Sequence, residues 1–238
     1  MTRRRWIADE VSGNRAALIG DHARHLAQVL RAQVGQEFDI STGAEVRRGR
    51  VTSIRMDRVE FELGHAVLQS EHAEITVAIS IFKFDRMEWA IEKCTELGVA
   101  RIVPVVAGRT EKHLAAAAAK RVERWRRLVQ QAAEQSRQSS APEVEEPIKL
   151  KELLALTAER RIVLSEIEQK LMLKDAIPRQ SQSVLLAFGP EGGWKEQEVE
   201  SFREASWVIA SLGSTVLRAE TAVIAAVAVA ASILKGPD

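Results

Sequence analysis

The chain has 238 residues, of which 46% are hydrophobic and 28% charged, with 34 Lys plus Arg against 33 Asp plus Glu. These proportions exclude a disordered, collagenous or low-complexity polypeptide, and a net charge of +1 supplies no global field toward nucleic acid, so a polyanionic partner would have to be met at a local basic patch. The single cysteine, Cys94, excludes an intrachain disulfide and a multi-cysteine zinc site and points to a reducing, cytoplasmic setting.

No apolar stretch of signal-peptide length follows the opening Met1-Thr2-Arg3-Arg4-Arg5-Trp6. Residues 6–72 read as short β-prone pieces at Ala16 to Ile19, Glu37 to Ile40, Arg50 to Ile54 and Val59 to Leu63, with Ser41-Thr42-Gly43 as turn chemistry. One short helix, Asp21 to Ala32, interrupts them, with Asp21 as its expected N-cap and Leu26, Val29 and Leu30 at helical spacing. A small β-rich module over residues 1–72 is therefore expected.

From Ile75 the rhythm changes to apolar strands alternating with amphipathic helices, which predicts an α/β domain with a largely parallel sheet over residues 73–238. The strands fall at Ile75 to Phe82, Ile102 to Val106, Ile162 to Leu164, Val184 to Phe188 and Val208 to Leu212. Arg86 to Leu97 is a helix with Met87, Ala90, Ile91, Cys94 and Leu97 on one face, and a longer helix is predicted over Ala115 to Gln138. The apolar run Ala222 to Leu234 is shorter than the roughly 20 residues a membrane span needs and reads as a buried helix.

The strand ending at Phe188 runs into Gly189-Pro190-Glu191-Gly192-Gly193-Trp194, and the strand from Val208 exits into Leu212-Gly213-Ser214-Thr215-Val216-Leu217-Arg218. In open α/β sheets ligands bind at such carboxyl ends, and glycine permits close approach to main-chain N–H and C=O groups. The two strands are expected to be neighbours, bringing both loops to one edge. Neither loop carries the dinucleotide or P-loop fingerprint, and Glu191 inside the glycine loop would repel phosphate but suit a cationic ligand. S-adenosylmethionine, with a sulfonium and no phosphate, meets that constraint. A plain tight turn, or a nucleotide-dependent enzyme using the loop for phosphate, are the other readings.

Gly189-Pro190-Glu191-Gly192-Gly193, followed by Leu212-Gly213 and Val216-Leu217-Arg218-Ala219-Glu220-Thr221-Ala222, resembles the RsmE family of SPOUT methyltransferases, which methylate N3 of a uridine in bacterial 16S ribosomal RNA. Further matches are Arg4-Arg5-Trp6, His25-Leu26 with Val29-Leu30-Arg31, Lys83 with Arg86, Lys93 to Val99, and Glu134-Gln135-Ser136 ahead of Pro142. The resemblance implies a SPOUT domain with a C-terminal trefoil knot, a small N-terminal PUA-like RNA-binding β-barrel, and a homodimer acting on 16S rRNA within the small ribosomal subunit. By position it implies cofactor contacts from Leu164, Ser165, Glu166, Phe188, Gly189, Pro190, Glu191, Gly192, Gly193, Leu212, Gly213, Val216, Leu217, Arg218 and Thr221. RNA contacts are implied for Arg4, Arg5, Trp6, His25, Arg31, Lys83, Arg86 and Arg137. Thr215 stands where the family commonly has Arg, and Arg137-Gln138 where it has Gly-Arg.

Methylation at N3 requires loss of the N3 proton and in-line approach to the methyl group. Glu220 or Glu191 would accept the proton, with Arg218 positioning the uracil or stabilising its developing charge. Alternatively Arg218 and Glu220 pair to brace the loop. From Arg109 to Arg127 there are seven Lys or Arg against two Glu, which is either an RNA-facing patch or a solvated helix face, and Arg47-Arg48-Arg50 poses the same choice more weakly. The histidines His22, His25, His65, His72 and His113 lack metal-binding spacing, so no metal is expected. A non-catalytic RNA-binding protein with a degenerate SPOUT domain is the competing reading from another functional class.

Overall fold

The computed structural model describes residues 5–43, 45–67, 73–136, 138 and 140–234. The chain divides into two compact units, Met1–Glu71 with Ala133–Ser140, and His72–Ala132 with Ala141–Asp238.

The first unit is built on a six-stranded sheet of β1 (Arg5–Ile7), β2 (Glu10–Ser12), β3 (Arg15–Ile19), β4 (Glu37–Ser41), β5 (Val46–Ile54) and β6 (Arg58–Ala66), ordered β1-β4-β5-β6-β3-β2. Alternation explains its inner face: on β6, Val59, Phe61 and Leu63 are buried while Glu60 and Glu62 point away. They pack with Leu18, Leu26, Phe38 and Ile40, and Phe38 meets Phe61 edge-on at 6.3 Å. Gly49 lies where a Cβ would collide with Ile40, beside a register shift in the β5–β6 pairing. The predicted helix is shorter and less regular than expected. It comprises α1 (Asp21–Arg24) and one wide π turn, His25–Val29. Asp21 is not the N-cap; Gly20, at φ 59°, precedes the helix, and the Asp21 carboxylate is drawn to Arg24 instead.

His22 sits between two carboxylates of this unit, Nδ1 3.0 Å from Asp9 and Nε2 3.2 Å from Glu134. Burial draws its pKa down, but Asp9 and Glu134 outweigh that and hold the ring above its ordinary value.

In the second unit the strands are β7 (Glu74–Ser80), β8 (Arg101–Val106), β9 (Glu143–Val144), β10 (Ile148–Lys149), β11 (Arg160–Leu164), β12 (Ser183–Phe188) and β13 (Val208–Ala210). They form a parallel sheet ordered β10-β8-β7-β12-β11-β13, with β9 also on β8. Successive strand residues go to opposite cores. Val77, Ile79, Ile162, Leu164, Leu186 and Phe188 face one, while Ala78, Val163, Leu185 and Ala187 face the other. Coverage on both faces is why these strands read as unbroken apolar runs.

The helices are α2 (Phe84–Glu96), α3 (Lys112–Ala118), α4 (Val122–Ser136), α5 (Leu150–Ala155), α6 (Leu173–Ala176), α7 (Glu196–Glu204) and α8 (Ala219–Leu234). The buried face of α2 is Met87, Ala90, Ile91 and Cys94, and burial pushes the Cys94 thiol up to about 12. The long helix predicted from Ala115 is two helices separated by a tight turn, Ala119–Arg121. Leu114, Ala118, Val122, Trp125 and Val129 are all buried across it, so helical spacing persists through the turn and the hydrophobic pattern carries no sign of it.

β13 ends two residues earlier than predicted. The Ser211 N–H donates to the Leu171 carbonyl at 2.9 Å and its carbonyl accepts from Leu173 at 2.8 Å, which takes the chain off the β11 ladder. Nor do β12 and β13 lie side by side as expected; β11 separates them. Among the described residues no helix is long and apolar enough to cross a membrane.

Candidate active site

Sheet register sets the site. Leu164 of β11 is paired with Phe188 of β12 on one side and Ala210 of β13 on the other, so three strands end in one row and release their loops together. The neighbouring register, Phe188 with Ile79 of β7, brings the start of α2 beside the glycine loop. These segments enclose a cavity of about 520 Å³.

Most of the expected cofactor residues line this cavity: Leu164, Ser165, Glu166, Phe188, Gly189, Pro190, Glu191, Gly193, Leu212, Gly213, Val216, Leu217 and Arg218. Two do not. Gly192 turns its carbonyl outward to Arg109 Nη1 at 2.6 Å, and Thr221 is exposed in the first turns of α8. Ser211, Thr215, Trp194, Ala219 and Ala222 also line it, as do Lys83 and Arg86, which the resemblance had placed toward RNA.

The glycines have local reasons. The Gly193 N–H closes a turn onto the Pro190 carbonyl at 2.8 Å, and Gly193 adopts φ 68°, a conformation costly for any residue with a Cβ. An added Cβ there would lie 2.5 Å from Glu166 Oε1, and one on Gly189 would lie 3.2 Å from the Trp194 nitrogen. The Trp194 indole N–H donates to the Leu164 carbonyl at 3.1 Å, fastening the glycine loop to the β11 loop. Gly213, at φ 133°, fixes the third loop in a region that residues with a Cβ rarely enter.

The charges are arranged around Arg86. Its Nη1 donates to Glu191 Oε1 at 2.7 Å and its Nε lies 3.9 Å from Glu220 Oε1. Glu220 is 5% exposed at the first turn of α8, with Oε2 lacking a hydrogen-bond partner among the described residues, and it is not part of the cavity lining. Helix-end partial charge favours a carboxylate at that position. Of the two roles left open for Arg218, pairing with Glu220 is not adopted: Arg86 is the cation beside Glu220, and Arg218 is exposed on the cavity without an ion pair among the described residues.

Donor chemistry fits S-adenosylmethionine. Leu164, Phe188, Leu212, Val216, Leu217 and Trp194 supply an apolar bed for an adenine ring, Ser165 and Ser211 supply hydroxyls, and Glu166 and Glu191 suit cationic groups. Among the described residues no cluster of three or more His, Cys, Asp or Glu suits a metal ion.

Of the residues expected to face RNA, Arg4 and Arg137 lie outside the described residues, and Arg5 lies in β1. Trp6 is half-buried, its indole N–H enclosed without a partner among the described residues, and its ring stands 5.8 Å from that of exposed His25. Arg31 is exposed at φ 50°, just after the π turn. The basic stretch from Arg109 to Arg127 is largely spent on the protein itself: Arg121 and Arg124 on Glu88, Arg126 on Glu123 and Glu146, Arg127 on the Glu123 carbonyl. Arg48 and Arg50 are likewise paired, with Asp39 and Glu37.

A parallel sheet covered on both faces opens at its carboxyl edge into this cavity, the place where α/β enzymes bind their ligands, and the family model for the RNA methyltransferase domain, which matches residues 69–231, makes this an α/β methyltransferase. Over 237 residues the chain is 30% identical to the ribosomal RNA small subunit methyltransferase E of Bacillus subtilis (strain 168), covering 92% of both chains. It is 32% identical to the protein of that name from Synechocystis, covering 86% of this chain and 68% of the relative. The crystal structure of ribosomal RNA small subunit methyltransferase E from Neisseria gonorrhoeae bound to S-adenosyl methionine matches with a TM-score of 0.76 at 32% identity, covering 95% of this chain and 96% of that one. A putative methyltransferase from Legionella pneumophila with bound cofactor SAM matches at 0.75 and 26% identity, covering 96% and 97%. The chain belongs to the ribosomal RNA small subunit methyltransferase E family.

Proposed function

We propose that this chain transfers a methyl group from S-adenosylmethionine to N3 of a uridine in 16S ribosomal RNA, acting in the cytoplasm on the small ribosomal subunit. The observation that carries the reading is the convergence of three strand-end loops on one cavity that offers apolar walls, the carboxylates of Glu166 and Glu191 and glycine backbone, with Arg86 engaged by Glu191. Family membership and the likeness to structures holding that cofactor support it.

The loops after β11, β12 and β13 would hold the cofactor. When bound, it supplies an electrophilic methyl group on a sulfonium. Arg218, exposed on the lining, holds the uracil and offsets negative charge that grows on its oxygens as the N3 proton leaves. Glu191, which lines the same cavity, accepts that proton and releases it to solvent. Glu220 keeps Arg86 in place, and Arg86 in turn orients Glu191.

A trefoil-knotted path belongs to this reading. It is supported by a chain that crosses from β12 past β11 to β13 and then returns as α8 to pack against β7 and β12. The first unit serves as a PUA-like RNA-binding module, with Trp6, His25 and Arg31 as its described contact residues. A homodimer completes the assembly, and exposed Trp89 on α2, the helix packed on α8, offers apolar surface to the second copy.

Calorimetry tests the cofactor reading. The protein should bind S-adenosylmethionine and S-adenosylhomocysteine but not NAD or ATP. Binding of ATP alone would move the site to nucleotide chemistry.

A further inference from the structure

We propose that Arg109, which touches neither the cavity nor any reacting atom, is a positioning residue that holds the glycine loop in its cofactor-binding shape. The inference rests on the reading that this loop binds S-adenosylmethionine.

Arg109 lies in the turn after β8, and none of Ala107 to Thr110 lines the cavity. Its Nη1 has two hydrogens and donates to two carbonyls of the glycine loop, Gly192 at 2.6 Å and Trp194 at 3.1 Å. Charge-assisted bonds of this kind are stronger than neutral ones. The Gly192 carbonyl belongs to the same peptide group as the Gly193 N–H that closes the loop onto Pro190, so Arg109 holds that group from its other end.

The turn that presents Arg109 is itself fixed. The Thr110 N–H donates to the Ala107 carbonyl at 3.0 Å, and the Ala107 N–H donates to Thr110 Oγ1 at 3.1 Å. A second clasp lies alongside. Buried Glu198 accepts from the Gly108 N–H at 2.7 Å through Oε1 and from the Lys195 N–H at 2.8 Å through Oε2. Gly108 permits this approach, because a Cβ there would come within 3.0 Å of the Lys195 side chain and 3.1 Å of Glu198 Oε1.

A loop with glycines at 189, 192 and 193 loses more backbone freedom on ordering than other sequences do. The clasp supplies that order before the cofactor arrives, so it acts on affinity rather than on the chemical step.

The test is calorimetric titration of S-adenosylmethionine, without RNA, into full-length wild type, Arg109→Ala, Arg109→Lys and the control Arg203→Ala, together with kcat at saturating cofactor. Leaving RNA out of the titration removes any contribution from an arginine–RNA contact. Arg109→Ala should raise Kd about tenfold with kcat within about twofold of wild type, Arg109→Lys should fall between, and Arg203→Ala should match wild type. An unchanged Kd in Arg109→Ala, or a loss of kcat as large as the loss of affinity, overturns the assignment. If Arg109→Ala does not fold, Arg109→Lys decides: a raised Kd supports the clasp and a wild-type Kd rejects it. Failure of the wild type itself to bind the cofactor refutes the proposed function rather than the clasp.

Discussion

Arg86 and Glu191, 105 residues apart in sequence, are joined by a 2.7 Å hydrogen bond between guanidinium and carboxylate. The bond ties the first turn of α2 to the glycine loop, and the same guanidinium faces Glu220 at the start of α8. Two acids that the sequence leaves equivalent are thereby separated: Glu191 lies on the cavity, and Glu220 is buried behind it.

Glu191→Gln is expected to lower kcat by roughly 10²-fold, the scale of a lost general base, while Glu220→Gln keeps more than about a tenth of wild-type turnover. Steady-state methylation assays with both variants decide the assignment. The opposite ranking would make Glu220 the base.

Gly193→Ala should be destabilising by about 1–2 kcal/mol from the left-handed backbone alone, and the crowding against Glu166 adds to that. Urea denaturation reads the stability, and calorimetry should show weaker S-adenosylmethionine binding. A variant of wild-type stability and affinity would mean that the loop has another shape.

His22 makes the first unit pH-sensitive. Its folded pKa is raised above the ordinary 6.5, so the stabilisation from Asp9 and Glu134 is complete below that value and is lost as pH rises through the folded pKa. An NMR titration of the His22 ring should give a midpoint above 6.5, and His22→Gln should remove the corresponding fall in thermal stability. A midpoint below the ordinary value would contradict the bridge.

Cys94, fully buried with its thiol pushed up to about 12, should resist alkylation in the native protein at pH 8 and react once the chain is unfolded. Rapid native labelling, followed by mass spectrometry, would show that α2 opens.

How far the sequence could be read depended on the range of the forces involved. The strand into Gly189-Pro190-Glu191-Gly192-Gly193 is visible because a doubly covered strand is a continuous apolar run and glycine marks the turn. β1, β9 and β10, of two or three residues each, are too short to establish a period and exist because a longer strand lies beside them. The position of β11 between β12 and β13 is a tertiary choice with no local trace. So is the arrival of Lys83 and Arg86 at the cavity, which follows from the pairing of β7 with β12. Counting cations from Arg109 to Arg127 identified a basic stretch but not its partners, since Glu88, which takes up Arg121 and Arg124, comes from a different helix.

The most direct measurement gives the protein small ribosomal subunits that lack the modification, together with S-adenosylmethionine carrying an isotope-labelled methyl group, and follows the label by nucleoside mass spectrometry of the 16S RNA. A single labelled 3-methyluridine per RNA is the predicted result. Label on any other nucleoside, or none at all under conditions where the cofactor binds, would contradict the account.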